Sequence, residues 1–414
     1  MSAPHSGPVG QNPHTPWQAL ARSFQHRDYR LFFTGQFISL VGTWMQQVAQ
    51  SWLVYSLTGS SLSLGLVGFA GQFPVFVLSL FGGVLADRLN RRSVLVATQS
   101  AALVQAALLA WLTFAGHIQV WQVMCLAVFL GVVNAVDMPT RQAFVVDLVG
   151  KKDLHNAIAL NSSMFNAARI LGPSLAGMLL AAVGEGWCFT INSLSYLAVI
   201  ACLLRMGLPK RPAQEKSASM REHLREGLGY AWHTLEVRTI LLLLGVASVI
   251  GMAYVVLMPV FAAEILHSGP RGLGLLMAAS GCGSLAGALL LAMRREGHGI
   301  GRYTYYGILC LGAGLVFFAL SSTLWLSALL LAPVGFSMIV GMASANTLLQ
   351  LRCPDHLRGR IMALFSMMFM GMAPFGALLA GVAAHAIGAR ATVVLSGTAL
   401  VIVVGLGGRR LLKL

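Results

Sequence analysis

Long apolar segments alternate with short polar ones along almost the whole chain. Each apolar segment is close to the ~20 residues that an α-helix needs to cross about 30 Å of hydrocarbon. The pattern predicts twelve transmembrane helices, over residues 31–57, 62–86, 93–115, 120–136, 156–183, 188–204, 240–264, 272–293, 303–320, 324–349, 359–384 and 391–406. We therefore expect an all-α integral membrane protein.

The longest charged stretch divides these spans into two groups of six. It is interpreted as a cytoplasmic linker that joins two helical bundles. The expected organisation is a cytoplasmic tail, an N-terminal six-helix bundle, the linker, a C-terminal six-helix bundle and a second cytoplasmic tail, over residues 1–30, 31–204, 205–238, 239–408 and 409–414.

The two halves also resemble each other in sequence. SLGLVGFAGQFPVFVLSLFGGVLADR aligns without gaps with GLGLLMAASGCGSLAGALLLAMRREG, which places Asp87 opposite Glu296. RILGPSLAGMLLA aligns with MGMAPFGALLAGV and places Pro173 opposite Pro374. Two six-helix halves of like orientation indicate a transporter with its site between the halves.

Composition supports a membrane protein over a soluble or nucleic-acid-binding one. Hydrophobic residues make up 57% of the chain and charged residues 10%, whereas soluble domains carry about 25% charged residues. The net charge of +15 comes from basic residues between the spans, without a basic stripe interleaved with aromatics, so no nucleic-acid partner is expected. The six cysteines are scattered and contain no C-x-x-C pair, so no metal site is expected.

The basic residues also predict an orientation. Lys and Arg prefer short cytoplasmic loops. With both termini in the cytoplasm, all 28 Lys and Arg residues except three fall on the cytoplasmic side. Arg271 and Arg390 would face outwards, and Arg169 would lie within the membrane.

The loop GGVLADRLNRR, residues 82–92, has a composition suited to a conformational gate. Gly82 and Gly83 would allow close helix packing, as small residues do in membranes. Asp87 could cap the positive end of another helix. Acids or lipid phosphates could pair with the planar guanidinium groups of Arg88, Arg91 and Arg92.

Arg169 lies in an otherwise apolar span, which is costly unless the side chain faces a wet cavity or the bundle interior. It shares one predicted helical face with Ser162, Asn166 and Pro173. A second polar stripe lies on helix 1 and comprises Thr43, Gln46 or Gln47, and Gln50. We expect both stripes to line a substrate cavity. The alternative is that Arg169 bonds neighbouring helices without touching substrate.

The chain resembles the major facilitator superfamily, whose loop signature is similar to GGVLADRLNRR. NAVDMPTRQAFVVDLVGKKDLHNAIALNSSMFNAARILGPSLAG and GTWMQQVAQSWLVYSLTGSSLSLGLVGF resemble the branch of the enterobactin exporter and the transmembrane secretion effectors. The resemblance implies the major facilitator fold and a monomer in the bacterial inner membrane, surrounded by lipids and without a cofactor. It implies secondary active export of a small amphipathic molecule (a siderophore, natural product or drug) by alternating access, with protons as the coupling ion.

The resemblance also implies roles for individual residues. Asp87 would latch onto the start of helix 11 in the outward-open state, and Arg91 would pair with an acid at the cytoplasmic end of helix 4, where Asp137 lies. On helix 5, ARILGPSLAG resembles an antiporter signature, although alanines replace two of its glycines. The matching positions are Gly172, Pro173 and Gly177.

Other functions remain open at this level. The chain has no G-x-x-x-x-G-K-[ST] phosphate loop and no H-E-x-x-H or G-x-S-x-G motif, so neither an ATP-driven pump nor an enzyme is expected. An importer or a lysolipid flippase of the same fold, or a membrane receptor, would share most of these features. No Asp or Glu lies mid-span in helices 1, 2, 8, 10 or 11, so proton coupling depends on the resemblance alone.

Overall fold

A computed structural model of the protein describes residues 22–207, 228–293 and 299–413. Within these ranges the chain is helical and contains no strand. Helices α1 to α12 span Arg27–Thr58, Ser61–Arg88, Arg91–Phe114, Val120–Gly150, Lys152–Val183, Glu185–Leu204, Leu235–Ile265, Gly269–Ala292, Ile300–Leu320, Leu324–Arg352, Leu357–Ile387 and Ala389–Gly407. The predicted tail 1–30, the linker 205–238 and Glu296 fall partly or wholly outside the described residues.

Every predicted span corresponds to one of these helices, and the all-α membrane fold is confirmed. Within the described ranges, eleven helices, α2 to α12, are long and apolar enough to cross a membrane. Helix α1 is 32 residues long but more polar, since it carries Gln36, Ser39 and Gln46, all buried against the rest of the protein. A count of twelve spans is consistent with this structure.

The predicted end of helix 4 was wrong, because α4 continues from Val136 to Gly150. Asp137, the first polar residue beyond the predicted end, is 3% exposed. Its carboxylate accepts hydrogen bonds from Thr98 at 2.7 Å and Gln99 at 2.9 Å and lies 3.1 Å from Arg141 one turn later. These partners satisfy the buried charge, so the helix continues where hydropathy alone predicts a loop.

Two ends of the helical bundle must be distinguished. We call one end basic; it carries the α2–α3, α4–α5, α8–α9 and α10–α11 connections. The opposite end, which we call distal, carries the α1–α2, α3–α4, α5–α6, α7–α8, α9–α10 and α11–α12 connections. Two helices that cross between these ends, α7 and α11, contain π-helical segments, Phe261–Ile265 and Met367–Gly371. Such segments interrupt regular hydrogen bonding and often mark functional sites.

The two halves contact each other through α2 against α11 and α5 against α8. Glycines allow this approach: a Cβ built on Gly65 would lie 2.8 Å from the Cα of Gly381, and one on Gly177 would lie 2.9 Å from the Cα of Gly274. Gly65 and Gly274 occupy equivalent positions of the sequence repeat. The repeat therefore places an inter-half glycine contact in each half, towards the distal end.

Towards the basic end, side chains of the same helices are exposed. On α5 these are Ile158 and Phe165, and on the π-helical segment of α11 they are Met367 and Met370. The inter-half contacts thus close the distal end, while these faces of α5 and α11 are uncovered towards the basic end, where we infer a cleft between the halves.

We expect Gly274→Val to weaken this distal contact. A Cβ at this position would lie 2.6 Å from the Pro173 carbonyl oxygen and 2.7 Å from the Cα of Gly177. These are backbone atoms, so they cannot move away as the end of a flexible side chain can. Overpacking typically costs about 1–3 kcal/mol. The melting temperature should fall, and spin labels on the α5–α6 and α7–α8 connections should move apart. Gly405→Val is the matched control, because no atom lies within 4 Å of its Cβ position; equal effects of the two substitutions would contradict the expectation.

Candidate functional site

Arg169 lies where helices from both halves meet. Its guanidinium carbon lies 5.9 Å from the centroid of the Trp44 ring on α1. Its main chain packs against α8, since a Cβ built on Gly281 would lie 3.2 Å from the Arg169 carbonyl oxygen. The residue is therefore fixed between α1 and α8 at the closed end of the cleft.

The C-terminal half adds hydroxyl groups next to Arg169. Ser280 of α8 directly precedes Gly281, which packs against the main chain of Arg169, and Tyr254 lies on α7. The Tyr254 hydroxyl lies 3.2 Å from the Oγ of Ser280 on α8, within hydrogen-bonding distance. A cation from one half and two hydroxyl groups from the other thus lie in the same region between the halves.

No carboxylate neutralises Arg169 within the part of the chain that the structure describes, where the salt bridges involve other residues. The Trp44 ring compensates part of the charge through a cation–π contact. A guanidinium has five N–H donors and an aromatic ring accepts none of them well. Arg169 is half-buried, so its donors remain able to bind an incoming acceptor group.

The part of α5 between Arg169 and the basic end forms one wall of the cleft. Ile158, Ser162 and Phe165 precede Arg169 on the same side of α5 and are exposed. Phe165 packs edge-on against Trp44, with ring centroids 5.5 Å apart. Asn166 is half-buried and donates to the carbonyl oxygen of Ser162 at 2.9 Å. This wall combines aromatic and polar surface.

The predicted stripe on α1 divides between two environments. Gln47, one turn from Trp44, is exposed, and Gln50 is half-buried. Gln46 was wrongly assigned to the cavity: it is 2% exposed, donates to Gln105 at 2.9 Å and accepts from Asn192 at 2.6 Å. These partners lie on α3 and α6, inside the N-terminal half.

Thr43 was also assigned to the cavity, and its bonds point instead to the interior of the N-terminal half. Its hydroxyl donates to the carbonyl oxygen of Ser39 at 2.9 Å and lies 3.4 Å from the hydroxyl of Tyr196 on α6. The repeat of a helix shows that Thr43 and Gln46 share a face, but it does not show which neighbouring helix covers that face.

The antiporter-like residues of α5 bring three helices together. A Cβ on Gly172 would lie 2.4 Å from the Cβ of Trp44, so this glycine allows α1 to approach α5 closely. Pro173 is buried, and Gly177 contacts Gly274 of α8. The motif therefore positions Trp44 against Arg169 and closes the distal end.

The loop between α2 and α3 contains the predicted ion pair with a different acid. Arg91 binds Asp147 at 2.9 Å, not Asp137, which lies earlier on α4 and pairs with Arg141. Arg91 also donates to the carbonyl oxygen of Ala143 at 3.3 Å. Helix 4 was predicted to end at residue 136, whereas α4 continues to Gly150. Asp147 therefore lay outside the predicted helix and was not considered as a partner.

The remaining loop residues differ in what they contact. Arg92 donates to the Leu204 carbonyl oxygen at 2.6 Å, and Arg88 is exposed. Of the two glycines expected to pack closely, Gly82 does so, since a Cβ there would lie 2.0 Å from the Ala135 carbonyl oxygen, whereas Gly83 has open space around it. The side chain of Asp87 lies outside the described residues, so the latch remains a prediction.

One inter-half bond was not predicted. The Tyr55 hydroxyl on α1 donates to the carboxylate of Glu264 on α7. It joins the two halves at the distal end, beside the glycine contacts. No sequence spacing indicates a contact between residues so far apart in the chain.

Within the described ranges, no cluster of three or more His, Cys, Asp or Glu side chains could hold a metal ion.

A family model described as transmembrane secretion effector matches residues 18–413. The chain belongs to the transmembrane secretion effector family. This secretion effector is thus a transporter of the major facilitator superfamily, as its sequence motifs predicted.

Relatives of this secretion effector include transporters with two kinds of named substrate. The staphyloferrin A transporter of Staphylococcus aureus is 25% identical, covering 87% of this chain and 90% of its own. The multidrug efflux pump Tap of Mycolicibacterium fortuitum is 27% identical, over 83% of this chain and 86% of its own length. The enterobactin exporter EntS of Citrobacter koseri is 26% identical, over 91% of this chain and 90% of its own length.

Solved structures support the fold. The chain superposes on a POT family transporter crystallised with a thioalcohol-conjugated peptide, with a TM-score of 0.73 and 10% identity, over 91% of this chain and 94% of that one. At this identity the likeness concerns the fold alone.

We expect Gln46→Leu to reduce stability without changing the cleft. The substitution leaves the amide of Asn192 and the carbonyl oxygen of Gln105 without their buried partner, and each unsatisfied group costs about 1–3 kcal/mol. The melting temperature of the purified protein should fall clearly. Gln47→Leu is the matched control, since surface substitutions usually change stability by no more than about 0.5 kcal/mol. A Gln46→Leu protein as stable as wild type would show that the buried network contributes little.

Proposed function

We propose that this secretion effector is a secondary active exporter of a small, amphipathic, acceptor-rich molecule. The observation that carries the proposal is Arg169: a half-buried cation without a carboxylate partner in the described ranges, at the junction of both halves and the head of a cleft. The basic end faces the cytoplasm, in accordance with the distribution of Lys and Arg. The conformation described is then open to the cytoplasm, and export requires the opposite conformation by alternating access.

The site favours a substrate with two kinds of surface. The guanidinium of Arg169 presents a planar fork suited to carboxylate, phenolate or carbonyl oxygens. Trp44 and Phe165 offer aromatic faces, and Tyr254 and Ser280 offer hydroxyl groups. A siderophore, a natural product or an amphipathic drug has this combination. The names of the relatives, siderophore transporters and a multidrug pump, point to the same class.

The resemblance of the helix 5 motif to an antiporter signature supports export and proton coupling. Gly172, Pro173 and Gly177 form the antiporter-like segment, and export in exchange for protons is the function that this segment favours. Asp87 would latch the basic end shut when the distal end opens. The ion pair of Arg91 with Asp147 would hold α3 and α4 together beside that latch.

Arg169 should contribute directly to substrate binding. Arg169→Lys keeps the charge but loses the five-donor fork, and Arg169→Ala loses both. Hydrogen bonds to charged groups contribute about 1.5–3 kcal/mol, so Arg169→Ala should weaken affinity by about 10- to 100-fold and Arg169→Lys by less. The measurement is ligand affinity on purified protein with a panel of siderophores and amphipathic drugs, in parallel with the melting temperature. Arg409→Ala, an exposed arginine remote from the cleft, is the control.

A purely structural arginine would behave differently. Its removal would lower the melting temperature and leave affinity intact in the protein that remains folded. Unchanged affinity in Arg169→Ala, for any ligand that the wild type binds, would contradict the substrate role.

Export should depend on a proton gradient. In proteoliposomes that hold the substrate that binds best at equal concentrations inside and outside, an imposed pH gradient should drive net movement of the substrate against the concentration gradient that then builds up, and an uncoupler should abolish this movement. The matched control is the Arg169→Ala protein in the same vesicles. Transport that persists with the uncoupler and requires ATP instead would overturn proton coupling.

A further inference from the structure

The C-terminal half contains a second cavity that is separate from the cleft. It has a volume of about 520 Å³ and lies between α8, α9 and α10 near the basic end. Residues of the C-terminal half alone line it, among them Leu290, Arg302, Tyr303, Tyr306, Phe336 and Val340. The substrate site proposed above therefore does not account for it.

This cavity opens on the outer surface of the helical bundle. Arg302, Tyr306 and Cys310 are spaced four residues apart, so they share one face of α9, and all three are exposed. The neighbouring α8 side chains Leu289 and Leu290 are exposed too. Apolar side chains on the outer surface of a helical bundle contact lipid, so the cavity opens towards the bilayer.

Polarity changes along the cavity in the direction of the membrane normal. Arg302 lies at the start of α9, next to the basic end, with the phenol groups of Tyr303 and Tyr306 beside it. From Arg302 to Cys310 the groove extends about 12 Å along α9, at 1.5 Å per residue. Leu290, Phe336 and Val340 line it with apolar surface. Tyrosines prefer the membrane interface, which places Arg302 at the level of the lipid headgroups.

We propose that this cavity binds one anionic phospholipid. The phosphate would bind Arg302 and the tyrosine hydroxyl groups, and the upper part of an acyl chain would fill the groove. The charge of the site favours an anionic lipid over a zwitterionic one, because basic side chains near the bilayer surface attract anionic headgroups. Free phosphate would leave the apolar part of the groove uncovered, so a lipid satisfies the site better than the ion alone.

The test compares lipid retention in native mass spectra of the full-length protein. Purified protein is mixed with equal amounts of phosphatidylglycerol and phosphatidylcholine. The wild type should retain one phosphatidylglycerol preferentially. Arg302→Gln should reduce that preference about tenfold, the change expected when one charge-assisted contact is lost. Arg410→Gln, which removes an exposed arginine of the same half outside the cavity, should retain it.

A second variant tests the groove. Cys310→Trp places a bulky side chain in the part of the cavity that would hold the acyl chain, so it should displace the lipid while Arg302 is still present. A melting temperature close to that of the wild type shows that the variant is folded. Equal retention of the two lipids by the wild type, or equal losses in Arg302→Gln and Arg410→Gln, would overturn the proposal. Displacement of the bound lipid by millimolar inorganic phosphate alone would identify the site as one for a free anion and would overturn it too.

Discussion

The close approach of α5 to α8 and of α2 to α11 is the constraint on which the rest of the structure depends. Backbones meet at Gly177 with Gly274 and at Gly65 with Gly381, at distances that no side chain would permit. In a membrane, where burial of apolar surface does little to hold helices together, such contacts supply van der Waals packing. They close the distal end, and the cleft towards the basic end follows from that closure.

The same contact explains how a cation is tolerated inside the membrane. Because α5 lies against α8 and α1, the side chain of Arg169 reaches Trp44 and a hydroxyl-rich corner instead of lipid. The aromatic ring stabilises the charge only partly. A charge of this kind is expensive where it has no function, so its partial compensation is an argument that a substrate completes it.

Polar side chains in the N-terminal half serve two separate purposes. Gln46 belongs to a buried hydrogen-bond network inside the N-terminal half, in which it donates to Gln105 and accepts from Asn192. Asp137 is likewise held by α3 and by Arg141. Buried networks of this kind help to define how helices pack. The polar groups beside Arg169, Tyr254 and Ser280 among them, lie outside these networks.

The sequence by itself determined the membrane-spanning class, the location of nearly every helix, the division into two related halves and the exceptional position of Arg169. Those properties depend on hydropathy, length and helical period, which are local. Only the tertiary structure decided that Gln46 is buried while Gln47 is exposed, that Arg91 pairs with Asp147, and that Tyr55 joins Glu264. The period of a helix shows which residues share a face; which neighbour meets that face depends on how distant helices pack, and neighbouring residues carry no record of it.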